Sequence, residues 1–219
     1  MKLLFFDLET TGVDSKNCAI IQLAGIMVEI DPENNLKPVD AINLKMKPRK
    51  GKTVEQEALA INNYSLNDIM EWENDAVAFK KFMTFIEKHV VRFNSIDKIK
   101  LCGYNNSRFD TDFLRQWFKE NDNLYFGSYF WVDQIDVMCE ASRYLIHYRP
   151  ALNNFKLGNI ANVLGVPLDE NSLHDGFYDI KITYKIFKKI LESGNLIMPY
   201  DENIAKEIFI QQQNLKNNK

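Results

Sequence analysis

Cysteine is scarce in this sequence, and the three present, Cys18, Cys102 and Cys139, are far apart, odd in number and without a CxxC pair. That excludes a disulfide framework and a thiolate zinc or dithiol redox centre, and the three read as reduced core residues of a cytoplasmic protein. Long apolar runs are also missing. The best candidate, Ala19 to Ile30, is broken by Gln22 and Glu29 and falls short of the ~20 residues a bilayer requires, so no membrane association is expected. The apolar start, Leu3 to Phe6, is interrupted by Asp7 and Glu9 before the h-region of a signal peptide forms, and export is not expected. An excess of basic residues is absent too. With 27 Lys and Arg against 30 Asp and Glu, the net charge is -3, which argues against a general basic coat for nucleic acid.

What is present is enough for one sizeable core. The chain has 219 residues, 46% of them hydrophobic, with 15 Phe and 9 Tyr, so disorder of the whole is excluded. There is no internal repeat and no long linker. One domain over residues 1–192 is expected, followed by a tail over 193–219, rich in Asn, Gln and Lys, that is helical or flexible.

The most informative stretch is Leu3-Leu4-Phe5-Phe6-Asp7-Leu8-Glu9-Thr10-Thr11-Gly12. Four apolar residues lead into two carboxylates at i and i+2 and then a turn signal, the pattern of a buried strand with acid at its end. Side chains two apart on a strand share a face, which sets Asp7 and Glu9 roughly 7 Å apart. Two ionised carboxylates in a partly desolvated place repel unless a cation neutralises them, and a divalent metal is the obvious partner.

Ala19 to Glu29 and Ala41 to Lys47 read as further strands, with the turn cluster Asp31-Pro32-Glu33-Asn34-Asn35 between them, giving an antiparallel meander of three. Short and longer helices are expected at Val54 to Ala60 and Ala76 to Phe93, where Phe79, Phe82, Met83 and Ile86 lie at helical spacing. Lys98 to Gly103 reads as a strand and Thr111 to Glu120 as a helix with a wide apolar face. Phe130 to Val137 reads as an edge strand, Met138 to Tyr148 as a helix closed by Pro150, and Asn153 to Leu164 and Gly176 to Leu191 as two more helices. Three antiparallel strands followed by strand and helix in alternation predict a mixed α/β sheet with helices on its faces and Asp7 near its centre. The dense basic loop Lys45 to Lys52 is consistent with a solvated loop or with phosphate contact.

Two more acids stand out. Asp110 lies where a strand meets a helix, a position the helix macrodipole favours for a carboxylate, while Asp112, about 200° further round, faces elsewhere. Asp179 shares a helical stripe with Thr183, Ile186 and Ile190, which puts an acid on the inward face, where an unpaired carboxylate is expensive. Of the three histidines, His89 and His147 read as surface residues, and His174 is the one close to an acid in need of a partner.

In combination these segments resemble the DEDDh 3′-to-5′ exonucleases, the superfamily that includes the epsilon proofreading subunit, oligoribonuclease and ribonuclease T. Asp7-Leu8-Glu9-Thr10-Thr11-Gly12 matches the first family motif, Asn105 with Phe109-Asp110 the second, and His174 with Asp179 the third, H-x4-D. The resemblance runs from about Leu3 to Leu191. It implies an RNase H-like fold with a five-stranded mixed sheet flanked by helices. It also implies a metal set of Asp7, Glu9, Asp110 and Asp179 for two Mg2+ or Mn2+ ions, with His174 as general base. Thr10, Thr11, Gly12 and Val13 would receive the terminal 3′-hydroxyl, and Ile61-Asn62-Asn63-Tyr64 stands where relatives often carry a Val-His-Gly-like turn that touches the terminal base, so Asn62 joins the substrate-binding set with Asn105 and Phe109.

The function this implies is a metal-dependent exonuclease releasing nucleoside monophosphates from DNA 3′ ends, in proofreading or trimming. Single-stranded DNA is favoured over RNA, and the protein either works alone or is recruited by a partner, a polymerase being one candidate, through the tail. The same chemistry on RNA is the first alternative, because the metal site does not read the 2′-hydroxyl. An inactive nuclease-fold binding module is the second, disfavoured by the intact acids and histidine.

Overall fold

A computed structural model describes residues 1–62, 64–107, 109–169, 172 and 175–217. The expected meander is there. Strands β1 (Lys2–Thr10), β2 (Ile20–Ile30) and β3 (Leu36–Lys45) pair antiparallel, β4 (Ile99–Gly103) adds parallel to β1, and β5 (Ile135–Asp136) adds parallel to β4. The sheet order is β3-β2-β1-β4-β5, so β1 is the central strand. Around it lie α1 (Gln56–Ile61), α2 (Leu66–Met70), α3 (Asp75–Glu87), α4 (Asp110–Glu120), α5 (Phe126–Tyr129), α6 (Val137–Tyr144), α7 (Leu157–Val163), α8 (Gly176–Glu192) and α9 (Glu202–Asn217).

The alternation of β1 divides two cores. Leu4, Phe6 and Leu8 pack with Phe79, Phe82, Leu114, Trp117 and Phe118 of α3 and α4 on one face. On the other, Leu3 and Phe5 pack with Ile180, Ile186 and Ile190 of α8 and with Val137 and Ala141 of α6. Of the apolar face read from α3, Phe79, Phe82 and Ile86 are buried and Met83 is partly buried, while the face read from α4 is buried throughout, and Asp112 is exposed.

Several elements differ from expectation. The edge strand reduces to Ile135–Asp136 and a single bridge from Phe130 to Ile99, because Phe130 turns inward onto Phe118 and Val137 already opens α6. The helix expected to run to Tyr148 ends at Tyr144 and tightens into a 3-10 turn, Ile146–Ala151, in which Pro150 sits. Helix α2 is new; Ser65 and Asp68 close it with a reciprocal capping box. Cys139 is exposed, whereas Cys18 and Cys102 are core. His89 is half-buried, with Nε2 3.2 Å from Asp40 Oδ2.

Beyond residue 193 the chain continues into α9, held by the buried Gln212. Its Oε1 accepts from the Asn153 N–H at 3.0 Å and its Nε2 donates to Asn159 Oδ1 at 2.7 Å. No described helix is long and apolar enough to cross a membrane.

Candidate active site

Because β1 and β4 run parallel, their C-terminal ends lie together, and the segments that follow them open at one edge of the sheet. Asp7 and Glu9 continue the Leu3, Phe5 face and so point to the α8 side. Helix α8 begins directly over them. A methyl group built on Gly176 would stand 3.3 Å from Asp7 Oδ2 and 3.7 Å from Ala24 Cβ, so this glycine lets the helix start against the carboxylate. Asp179 follows in the first turn of the same helix. Asp110 opens α4 on the opposite face and reaches the same strand end, where the Leu8 N–H donates to its Oδ1 at 3.2 Å.

The four acids feel one another. Burial pushes the Asp7 carboxyl well above the ordinary carboxylate range, and the charges of Asp110, Glu9, Asp179 and Asp175 push it further. Glu9 is pushed up to about 8, first by burial and then by Asp179, Asp110 and Asp175. Asp110 is pushed up to about 7 by burial, against hydrogen bonds from its own and the Leu8 N–H. Among the described residues, every charged side chain that acts on Glu9 is thus another acid.

Such a set of hard oxygen donors, desolvated and mutually repelling, fits Mg2+ or Mn2+ in its chemistry. Among the described residues no three acids converge tightly enough to hold an ion as they stand. His174, the expected base, lies outside the described residues. Its neighbour Asp175 caps α8, accepting the Tyr178 N–H at 2.9 Å.

The turn after β1 is tightly braced. Thr11 is fully buried, donating from Oγ1 to the Thr53 carbonyl at 2.6 Å and accepting there from the Ala19 N–H at 2.9 Å. Thr10 Oγ1 donates to the Gly12 carbonyl, and Asn62 Nδ2 donates to the Thr10 carbonyl at 3.1 Å. Gly12 admits no side chain, since a Cβ there would meet Cys18 Sγ and the Glu55 carboxyl at 2.5 Å. Val13, next along, is 78% exposed. Thr10, Thr11, Gly12 and Asn62 are therefore brought together beside Glu9, with Val13 at their open side.

The second motif is arranged differently. Asn105 is exposed in a left-handed conformation (φ 58°), with its N–H donating to Asp136 Oδ1 at 3.0 Å. Asn106 is the buried one of the pair, packed over Gly103. Phe109 is half-buried against the Phe113 ring at 5.0 Å.

Three supporting residues escaped the sequence reading. Asp136 ties the Asn105 turn to α6, accepting also from Ser107 Oγ and the Met138 N–H. An Asp just before a helix is an N-cap signal that was there to be read. Asp175 was visible in the same way. Gln22, fully buried opposite Glu9 on β2, carried no signal beyond breaking an apolar run.

The basic loop is largely spent on structure. Arg49 Nε donates to Asp75 Oδ2 at 3.0 Å, Trp117 Nε1 donates to Asp75 Oδ1 at 2.5 Å, and Lys52 pairs with Glu120 at 2.5 Å.

A family model described as Exonuclease, of the RNase T type, matches residues 4–187. Ribonuclease T of Hahella chejuensis is 24% identical over 191 residues, covering 84% of this chain and 81% of that protein. Ribonuclease T of Escherichia coli is 22% identical over 212 residues, covering 92% and 90%. Among solved structures, the zinc-bound E. coli ExoI–ssDNA complex superposes with a TM-score of 0.69 at 21% identity, covering 89% of this chain. E. coli exonuclease I in complex with a dT13 oligonucleotide gives 0.65 at 22%, covering 85%. The chain spans about two-fifths of the length of those exonuclease I chains, 41% and 40%.

Proposed function

We propose, on the premise that this chain belongs to the DEDDh 3′-to-5′ exonuclease family, that it trims DNA 3′ ends, single strands above all, releasing nucleoside monophosphates. The observation that carries the reading is the mutual electrostatic loading of Asp7, Glu9, Asp110 and Asp179 at one strand end. Isolated acids would not raise one another in this way.

Asp7, Glu9, Asp110 and Asp179 would hold two Mg2+ or Mn2+ ions. When bound, the pair of ions neutralises the developing charge on attacking and leaving oxygens of an in-line phosphoryl displacement. The protein's own groups do the rest. An unperturbed imidazole titrates near 6.5, which suits His174 to take the proton of the attacking water near neutral pH. The braced turn Thr10 to Val13 receives the 3′-hydroxyl and limits attack to chain ends. Asn62 holds that turn through the Thr10 carbonyl. Phe109, half-buried beside Asp110, and Asn105 flank the strand as it leaves the site.

Structural neighbours holding single-stranded DNA support the DNA reading. The same chemistry on RNA is the second reading, and the observation in its favour is that the sequence relatives are ribonuclease T. A polymerase remains a candidate partner. Offering 5′-labelled single-stranded DNA, mismatched primer-template and RNA, each with magnesium and with EDTA, tests both readings. A magnesium-dependent ladder on DNA supports the first; a ladder on RNA alone overturns it in favour of the second.

A further inference from the structure

Outside the acids, one cluster on the flank of the site is not accounted for by the fold. Glu9, Gln22 and Lys45 are direct cross-strand partners on β1, β2 and β3, so they form a row on one sheet face. Two interstrand spacings, roughly 10 Å, separate its ends. Gln22 in the middle is fully buried yet polar, and both ends of its amide are used. Its Nε2 donates to Asn43 Oδ1 at 2.9 Å and its Oε1 accepts from the Tyr64 hydroxyl at 2.7 Å. Tyr64 is thereby fixed at the outer end of the row. The Trp72 ring meets it edge-on, with centroids 4.7 Å apart. Lys45 Nζ lies 4.8 Å from the Tyr64 ring centroid and 5.3 Å from that of Trp72.

Packing explains the inner edges of these rings, which rest on Ile21, Leu59 and Ile69. It does not explain the rest. Both rings are only half-buried and Lys45 is exposed. Unlike Arg49 and Lys52 of the same basic loop, Lys45 is paired with no carboxylate among the described residues. Aromatic faces beside an unneutralised ammonium are what a nucleotide requires, a π surface for the base and a cation for its phosphate.

We infer that Lys45, Tyr64 and Trp72 form a one-nucleotide platform beside the catalytic acids, taking a base against the rings and its phosphate at the ammonium. This rests on the nuclease reading above. The nucleotide comes from the strand being trimmed or from the complementary strand at a recessed duplex end, and the substrates separate the two.

The test compares the parent with Lys45→Gln, Trp72→Phe and Trp72→Ala. Binding of a fluorescein-labelled single strand, and of a recessed-3′ duplex with a 5′ overhang, is measured by anisotropy in EDTA. Hydrolysis of thymidine 5′-monophosphate p-nitrophenyl ester in magnesium reports the catalytic centre alone. Trp72→Ala is expected to weaken polymer binding about tenfold and Trp72→Phe by less than about threefold. Lys45→Gln, which removes a surface charge and leaves packing intact, is expected to flatten the salt dependence of binding by about 0.7 log units per decade. Ester hydrolysis by all three variants is expected to match the parent. Losses on both ligands assign the platform to the trimmed strand; losses on the overhang duplex alone assign it to the complement. Unchanged binding and salt slope in Lys45→Gln and Trp72→Ala overturn the platform. A parent that hydrolyses neither ester nor oligonucleotide overturns the nuclease reading, and the binding comparison still decides the platform.

Discussion

Raising the pH of the metal-free protein is expected to destabilise it, and magnesium is expected to reverse the loss. Glu9 rises from 4.5 to about 8 and Asp110 from 3.8 to about 7 on folding. An acid whose folded pKa is raised binds more protons in the native state than in the unfolded one, so stability falls as pH climbs between the two values. The window therefore opens near pH 3.8, where Asp110 begins to differ, and closes near pH 8, the folded value of Glu9. At about 1.4 kcal/mol per pH unit, either group alone sets a ceiling on the order of 4 kcal/mol. The two share the same neighbours, so their effects do not add, and relaxation of the site lowers the sum. A net loss of about 2–4 kcal/mol between pH 5 and 8 is the working figure, or roughly 4–16 °C in Tm for a chain this size. A divalent ion binds only the ionised set, so its stabilisation has the opposite trend. Thermal scans at pH 5, 6, 7 and 8, each in EDTA and in millimolar magnesium, check this. The magnesium increment should be near zero at pH 5 and largest at pH 8. An increment that is constant with pH, or larger in acid, would refute the claim that these carboxylates share one cation site.

Asp7→Asn should lower the exonuclease rate by about a thousandfold or more, read in a gel assay, while raising the Tm in EDTA at pH 8, because it removes a charge the other acids oppose. Gly12→Ala should lose several kcal/mol, since the new Cβ falls 2.5 Å from Cys18 Sγ and Glu55; urea melts would show the midpoint drop. Gln212→Ala should cost about 2–3 kcal/mol by stranding the Asn153 N–H and the Asn159 side chain, with proteolysis beginning in α9. Asn62→Ala should raise KM more than it lowers kcat, because the bond lost is to the turn at Thr10 and not to an acid.

Much of this was legible because β1 and α8 obey simple periods. Period two put Asp7 and Glu9 on one face, and the stripe from Asp179 to Ile190 put an acid inward; neighbours of both kinds are buried as those patterns require. The short elements were not legible, for physical reasons. Two residues of β5 carry no alternation to read, and tertiary packing of Phe130 on Phe118 overrides the β propensity of the stretch around it. The braces were hidden for another reason. Gln22 and Glu55 lie against segments 13 and 43 positions away, at Glu9 and Gly12, and Asp136, readable locally as a cap, bonds Asn105 31 positions away; local sequence does not encode partners at such separations. Asn106 looked no different from Asn105 until Gly103 was seen beneath it.

The placement of β1 between antiparallel and parallel neighbours has a consequence for inheritance. Slide that strand by one residue and Phe6 and Leu8 trade faces with Phe5, Asp7 and Glu9, so charge enters the α3 and α4 core and grease meets α8. A chain that mispairs there would fail to fold before it could fail to cut. Chemistry and stability are thus read from one string of residues in one frame.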